Sequence, residues 1–332
     1  MKAVLCKAYG PPESLVLEDA PSPKPDNGQV VISVKAAGVN FPDLLMIQNK
    51  YQFRPPLPFS PGGEVAGVVK ELGAGVTNVK VGDHVIASTG FGGYAEEVAA
   101  PAARCIAFPT NMGFVEASAF VMTYGTSHHA LQDRAHLKAG ETLLVLGAAG
   151  GVGIAAVEIG KVLGARVVAA ASSQDKVDFC IKRGADAGVV YPTGPLDRDA
   201  QKKLAEDFKK VLGSDGAHVI YDGVGGDYAE PALRSIAWEG RYLVVGFPAG
   251  IPSLPLNLTL LKGCQIVGVF WGAFTARDPK KNQENLTELM HWVRDGKLKP
   301  HVSKIYPFSK AADALNDMAA RKVLGKIVLT PG

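Results

Sequence analysis

The stretch Glu141-Thr-Leu-Leu-Val-Leu-Gly-Ala-Ala-Gly-Gly-Val-Gly153 decides how the rest of this chain is read. Its first part, Thr142–Leu146, is a short apolar run of the kind that forms a parallel strand buried on both faces. A cluster of small residues follows: Gly147, Ala148, Ala149, Gly150, Gly151 and Gly153. Residues Ile154–Leu163 then show helical periodicity. A glycine-rich turn between a strand and a helix lets backbone N–H groups approach a pyrophosphate, and the helix dipole favours its negative charge. Ala148-x-Gly150-x-x-Gly153 is a G-x-G-x-x-G fingerprint with alanine in the first position. The turn backbone of Ala149, Gly150, Gly151 and Val152 is therefore the expected seat of a dinucleotide. Glycine clusters also occur in ordinary turns, so the surroundings matter. A second strand expected at Arg166–Ala171 completes a β-α-β unit of the right size for a mononucleotide fold.

Downstream, further strands are expected at Ala187–Val190, His218–Asp222 and Tyr242–Val245, with helices between the earlier pairs; this alternation predicts a doubly wound parallel sheet. Upstream the texture differs. Val30–Val34, Val65–Val69 and His84–Ala87 are short β-branched runs between Gly, Pro, Asn and Asp clusters, which predicts an irregular, mostly antiparallel β domain. The change falls near Phe120. Towards the C-terminus Asn282–Asp295 and Ala311–Arg321 read as helices and Lys326–Thr330 as a strand.

In an NAD-binding unit, an acidic residue at the end of the second strand accepts a hydrogen bond from the ribose 2′-hydroxyl. Here Ala171-Ser172-Ser173 stands at that place, and Lys176 follows. Two hydroxyl donors and an ammonium suit a 2′-phosphate, so the expected cofactor is NADPH. Asp175 could instead turn towards a ribose, and Ser172 or Ser173 could cap the helix Asp175–Lys182.

The chain has 332 residues, 47% of them hydrophobic and 20% charged, with a formal net charge of +3. That is long enough for two domains. No Lys/Arg run argues for nucleic acid. Cys6, Cys105, Cys180 and Cys264 are far apart and form no C-x-x-C pair, so four reduced thiols in a cytoplasmic protein are expected. Met1-Lys2 leads straight into a strand-like segment, so no signal peptide is expected, and no apolar run is long enough to span a bilayer.

These features together resemble the zinc-free quinone oxidoreductase branch of the medium-chain dehydrogenase/reductase superfamily. The resemblance runs end to end. It is carried by Ala37-Gly-Val-Asn-Phe-Pro-Asp43, Pro61-Gly-Gly-Glu-Val-Ala-Gly67, Gly92-Gly-Tyr-Ala-Glu96, Thr123-Tyr-Gly-Thr126, the glycine turn and Gly325-Lys-Ile-Val-Leu329. It implies an α/β architecture with a GroES-like, mostly-β catalytic domain (1–121 and 276–332) and a doubly wound Rossmann domain (122–275) inserted in it. It also implies that Lys176 and Tyr191 hold the 2′-phosphate, and that Lys326 can reach the cofactor. Thr126, Gly246, Phe247, Val269 and Phe270 are implied to stand near the nicotinamide end, and a strand over Ile266–Val269 to pair with its copy in a homodimer. Where zinc-dependent relatives carry cysteine and histidine ligands, this chain has Asn40 and Gly63, neither a usual zinc ligand. His128 and His129 read as surface or capping residues, and no metal is expected.

Without metal, reduction needs geometry and hydrogen-bond donors at the oxyanion or enolate that forms. Asn40 is a candidate donor, with a turn role as its alternative. The similarity to enoyl-thioester reductases of the same superfamily implies Tyr51 as a candidate proton donor, a role that suits a phenol, which stays neutral until an enolate needs its proton; in quinone reductases a tyrosine here is implied to line the pocket. Three functions follow: reduction of quinones or similar conjugated carbonyl compounds, reduction of the C=C bond of an enoyl-CoA or 2-alkenal, and NADPH binding without catalysis. The intact fingerprint, Asn40 and Tyr51 argue against the last.

Overall fold

The computed structural model describes every residue from Met1 to Gly332. The chain forms two compact units: Met1–Met122 together with Lys299–Gly332, and Thr123–Leu298. The C-terminal break thus falls later than the expected 275/276. Its physical cause is the helix Pro279–Arg294, whose Glu288 and Asn285 bind His128 and Asp133 of the central unit.

The first unit is built on the long strand Gln29–Gly38, whose residues Val30, Val31, Ile32 and Val34 are buried. It pairs antiparallel with Glu64–Leu72 and with Glu97–Pro101. Glu64–Leu72 in turn pairs with His84–Ser88, and that strand with Cys105–Ala107. The C-terminal segment supplies Lys326–Thr330, antiparallel to Gln29–Gly38 through Val328↔Gly38, and Val302–Pro307 parallel to it. Both chain segments share one core, in which Ile327 and Leu329 pack with Val30, Ile32, Val65 and Val69. The expected antiparallel β domain is present, with longer strands than the sequence runs alone marked.

The central unit is a six-stranded sheet with all neighbouring pairs parallel. Its strands are Thr142–Leu146, Arg166–Ala171, Ala187–Val190, Ala217–Asp222, Ile236–Val244 and Gln265–Gly268. Counted in chain order they lie 3-2-1-4-5-6 across the sheet, the doubly wound Rossmann order. Every residue of Thr142–Leu146 is buried, as an apolar strand covered on both faces requires. The helix Gly151–Val162 lies close against this strand because Gly160 has no side chain: a Cβ there would sit 2.7 Å from Leu143 Cδ2. Helix Arg198–Leu212 begins where Asp197 accepts from Ala200 N and ends at Gly213 with φ +88°, an acidic N-cap and a left-handed glycine stop. Strand Ile236–Val244 is longer than the expected Tyr242–Val245, and Glu239 within it takes φ +58°. No helix is long and apolar enough to cross a membrane.

Candidate active site

In the central unit the glycine turn follows the first strand directly. Gly147 takes φ +66°, and Gly150 N donates to Gly147 O at 3.0 Å. Gly150 is the N-cap of helix Gly151–Val162 and offers no side-chain acceptor, so its first-turn N–H groups face whatever lies at the helix end. Gly153 has no alternative: a Cβ there would lie 2.2 Å from Gly147 O. This is the close helix–strand approach for which the third fingerprint glycine is needed.

At the end of the second strand, Lys176 Nζ donates to Ser172 Oγ at 3.0 Å. Ser173 Oγ caps the following helix by accepting from Lys176 N. Of the serine pair, Ser173 thus caps the helix, and Ser172 is bonded by the Lys176 ammonium. Tyr191 N donates to Ala171 O, which brings that tyrosine beside Ser172. Its ring lies 4.9 Å from that of Tyr228, centroid to centroid. Asp175 is exposed at the start of the helix. Ser172, Lys176 and Tyr191 are thus brought together.

The residues expected at the nicotinamide end are also tied to the same sheet edge. Gly246 N donates to Asp222 O at 3.3 Å, and Val269 N donates to Val244 O. Phe247 and Phe270 are 46% and 60% exposed, so both rings are open to a ligand. Thr126 lies on helix Val121–His128, which Ser127 anchors to the glycine turn by donating to Val152 O at 2.8 Å. Trp271 packs against Gly125 on the same helix.

His128 and His129 are not surface residues. They are 1% and 6% exposed. His128 Nε2 bonds Glu288 Oε2 at 2.8 Å; His129 Nδ1 bonds Asp133 Oδ2 at 2.7 Å and its ring stacks on Phe274. The sequence suggested exposure because Glu288 and Phe274, which cover the two rings, come from distant helices that local spacing does not show.

Asn40, Tyr51 and Lys326 lie in the first unit. Asn40 caps the short helix Phe41–Ile47, its backbone N–H donating to Asp43 Oδ2 at 2.8 Å. Tyr94 OH donates to the same oxygen at 2.8 Å. The Asn40 Nδ2 group donates to Gly38 O and Glu64 Oε2, both at 3.3 Å, and Met122 N donates to Glu64 Oε1. Lys326 Nζ donates to Val39 O at 2.7 Å and to Asn40 Oδ1 at 2.6 Å. All of these side chains are buried. Burial pushes the carboxyls of Asp43 and Glu64 up, while the nearby Lys326 charge pulls them back. Burial pushes Lys326 down and the two carboxylates draw it up.

Lys326, the basic residue of the tail expected to reach the cofactor, is buried and its ammonium grips Asn40 from within. The Asn40 carboxamide has both ends engaged inside the unit, so it can donate to a ligand only by exchanging a long bond. Tyr51 is half-buried against the same core; burial, then the Asp43 charge, holds its phenol above the ordinary value, and the phenol keeps its proton at neutral pH.

Asp43, Glu64 and Tyr94 lay inside quoted motifs but had no assigned role. The Asn40-x-x-Asp43 spacing of a helix start was the one available signal.

The comparisons agree with this geometry. Residues 26–110 match the alcohol dehydrogenase GroES-like domain and residues 196–329 the zinc-binding dehydrogenase family. The chain is 37% identical to quinone oxidoreductase-like protein 2 of Bos taurus, over 99% of this chain and 92% of that protein. A mycobacterial structure complexed with NADPH matches with TM-score 0.91 at 30% identity, all of both chains covered. The Escherichia coli quinone oxidoreductase complexed with NADPH matches with TM-score 0.89 at 26% identity, again over both whole chains. The chain belongs to the quinone oxidoreductase branch of the medium-chain dehydrogenase/reductase superfamily.

The donors present do not fit the zinc that one family description implies. No group of three or more His, Cys, Asp or Glu could hold a metal ion. Gly63 has no side chain, Asn40 Oδ1 faces an ammonium, and both Glu64 oxygens accept N–H bonds.

Proposed function

We propose that this protein is an NADPH-dependent reductase of quinones or similar conjugated carbonyl compounds that works without metal. The observation that carries the cofactor assignment is the Lys176–Ser172 bond beside Tyr191, at the strand end where an NAD-binding unit places a carboxylate. The NADPH complexes of the mycobacterial and Escherichia coli relatives support it. Bound NADPH supplies a hydride. The protein's part is placement. Backbone N–H groups from Ala149 to Val152 receive the pyrophosphate, and Ser172, Lys176 and Tyr191 take the 2′-phosphate. Thr126, Gly246, Phe247, Val269 and Phe270 bound the nicotinamide end.

A second reading, reduction of the C=C bond of an enoyl-CoA or 2-alkenal, is favoured by Tyr51, whose raised phenol pKa suits a proton held at Oη until an enolate accepts it. We further propose a cytoplasmic homodimer formed through strand Gln265–Gly268, which lies at the sheet edge with Gln265 and Ile266 exposed. Light scattering of an Ile266→Lys variant tests the dimer.

The deciding experiment follows the absorbance of NADPH with benzoquinone, phenanthrenequinone and crotonyl-CoA, for the wild type and Tyr51→Phe. Quinone turnover little changed in Tyr51→Phe is expected. Crotonyl-CoA as the better substrate, with a large loss in Tyr51→Phe, would overturn the quinone reading. NADPH binding with no turnover of any acceptor would leave a binding protein.

A further inference from the structure

Asp222 closes the fourth strand of the central sheet and stands in register with Leu146, the last residue of the first strand. These two strands flank the point where the strand order reverses, where doubly wound folds bind their ligands. The Asp222 side chain is 2% exposed and fully used. Its Oδ1 accepts from Val224 N and Gly225 N, both at 2.8 Å, and its Oδ2 accepts from Tyr242 OH at 2.6 Å. Its carbonyl accepts from Val245 N at 2.9 Å and Gly246 N at 3.3 Å.

Two segments are therefore stitched to one residue, and they are stitched to each other. Ala249 N donates to Val224 O at 2.9 Å and Gly226 N to Gly250 O at 2.7 Å. Gly225, at φ +69°, lets Phe247 approach: a Cβ there would lie 3.2 Å from Phe247 Cα. Val224 leans the other way, onto the glycine turn, where a Cβ on Gly147 would lie 2.9 Å from Val224 Cγ2. A shift of the Val224–Gly226 turn must move both Phe247 and the floor of the dinucleotide turn.

We propose that Asp222 is a positioning residue, which fixes segments 223–226 and 246–250 as the nicotinamide-side wall of the cofactor cleft. The adenosine side is held by other means: Ser172 and Tyr191 follow the ends of the second and third strands, Lys176 lies on the helix between them, and none bonds Asp222. The proposal rests on the assignment of NADPH to this sheet edge. It predicts that loss of the carboxylate weakens the nicotinamide half of the cofactor and spares the adenosine half.

The test is calorimetric titration of NADPH and of adenosine 2′-monophosphate into wild type, Asp222→Ala, Asp222→Asn and Tyr242→Phe, with KM and kcat for NADPH alongside. Asp222→Ala strands two buried N–H groups and should weaken NADPH by about tenfold. Adenosine 2′-monophosphate should change by less than about twofold. Asp222→Asn keeps an oxygen for Val224 and Gly225 and should recover most of the loss. Should Asp222→Ala fail to fold, Tyr242→Phe carries the test, with NADPH weakened by about threefold or more. Equal weakening of both ligands, or no weakening of either, overturns the proposal and leaves Asp222 a general stabiliser. A wild type that does not bind NADPH overturns the cofactor assignment and the proposal with it.

Discussion

The ammonium of Lys326 lies 2.6 Å from Asn40 Oδ1, across 286 residues of sequence. It is the cation nearest two fully buried carboxyl groups, Asp43 and Glu64, and draws the charged form of both. Lys326→Met keeps the length of the side chain and removes the charge. Breaking a buried ion cluster from one side typically costs about 3–5 kcal/mol, because the remaining charges lose their partner. Urea unfolding of Lys326→Met should show a loss of that order. A loss below about 1 kcal/mol would mean that Asp43 and Glu64 need no internal cation.

Lys176→Ala removes the ammonium that sits on Ser172 at the end of the second strand. A hydrogen bond to a charged group contributes about 1.5–3 kcal/mol, so KM for NADPH should rise by about 10–100-fold. KM for NADH, which has no 2′-phosphate, should hardly move. Parallel steady-state kinetics with the two cofactors checks this, and an equal rise for both would place the 2′-phosphate elsewhere.

Gly153→Ala forces a methyl group to 2.2 Å from Gly147 O. The opposing atom is backbone and cannot swing aside. The helix must shift from the strand, at a cost of about 1–3 kcal/mol. Thermal unfolding should show the loss, with cofactor binding falling with it.

Glu141 and Arg241 form a two-bond ion pair at 2.9 and 2.6 Å, at the foot of the first strand. Burial raises the Glu141 carboxyl, but Arg241 and the Lys138 N–H outweigh it and hold the group below its ordinary 4.5. In the window below 4.5 the unfolded chain binds more protons than the folded one, so stability rises with pH there. The contribution is complete above 4.5 and is lost as pH falls through the folded value. Glu141→Gln should therefore lower stability by about 1–2 kcal/mol near neutrality, since solvent reaches part of the pair. The difference from wild type should shrink under acid conditions, as denaturant titrations across this range would record. A constant difference would rule out the carboxylate as its source.

The central unit was legible because its strands are local events. Thr142–Leu146, Arg166–Ala171 and Ala187–Val190 are apolar runs bounded by turn residues, and they form where those runs stand. Lys326–Thr330 is the same kind of signal. Ser172 and Lys176 were singled out because the fingerprint sets the distance to the end of the second strand, and Tyr191 because of the family resemblance. The polar cores could not. Tyr94 meets Asp43 across 51 residues and Tyr242 meets Asp222 across 20. A buried carboxylate gives no periodic pattern, and its partner is chosen by sheet register that no single segment contains. The two histidines were misread for the same reason, since Glu288 covers His128 and Phe274 covers His129 from far along the chain.

The strand that delivers Lys326 follows residues 123–298 in synthesis, while the rest of its unit precedes them. A ribosome completes the whole parallel sheet before the first unit can close. Domains generally fold in the order in which they emerge; here the segment that emerges first must finish last. Until Lys326–Thr330 docks beside Ala37 and Gly38, Asp43 and Glu64 lack the one cation of their cluster. A nascent chain stalled short of Lys326 should yield a protease-resistant central unit and a first unit still open to cleavage. The Asn40 cluster is complete only once that strand has been translated.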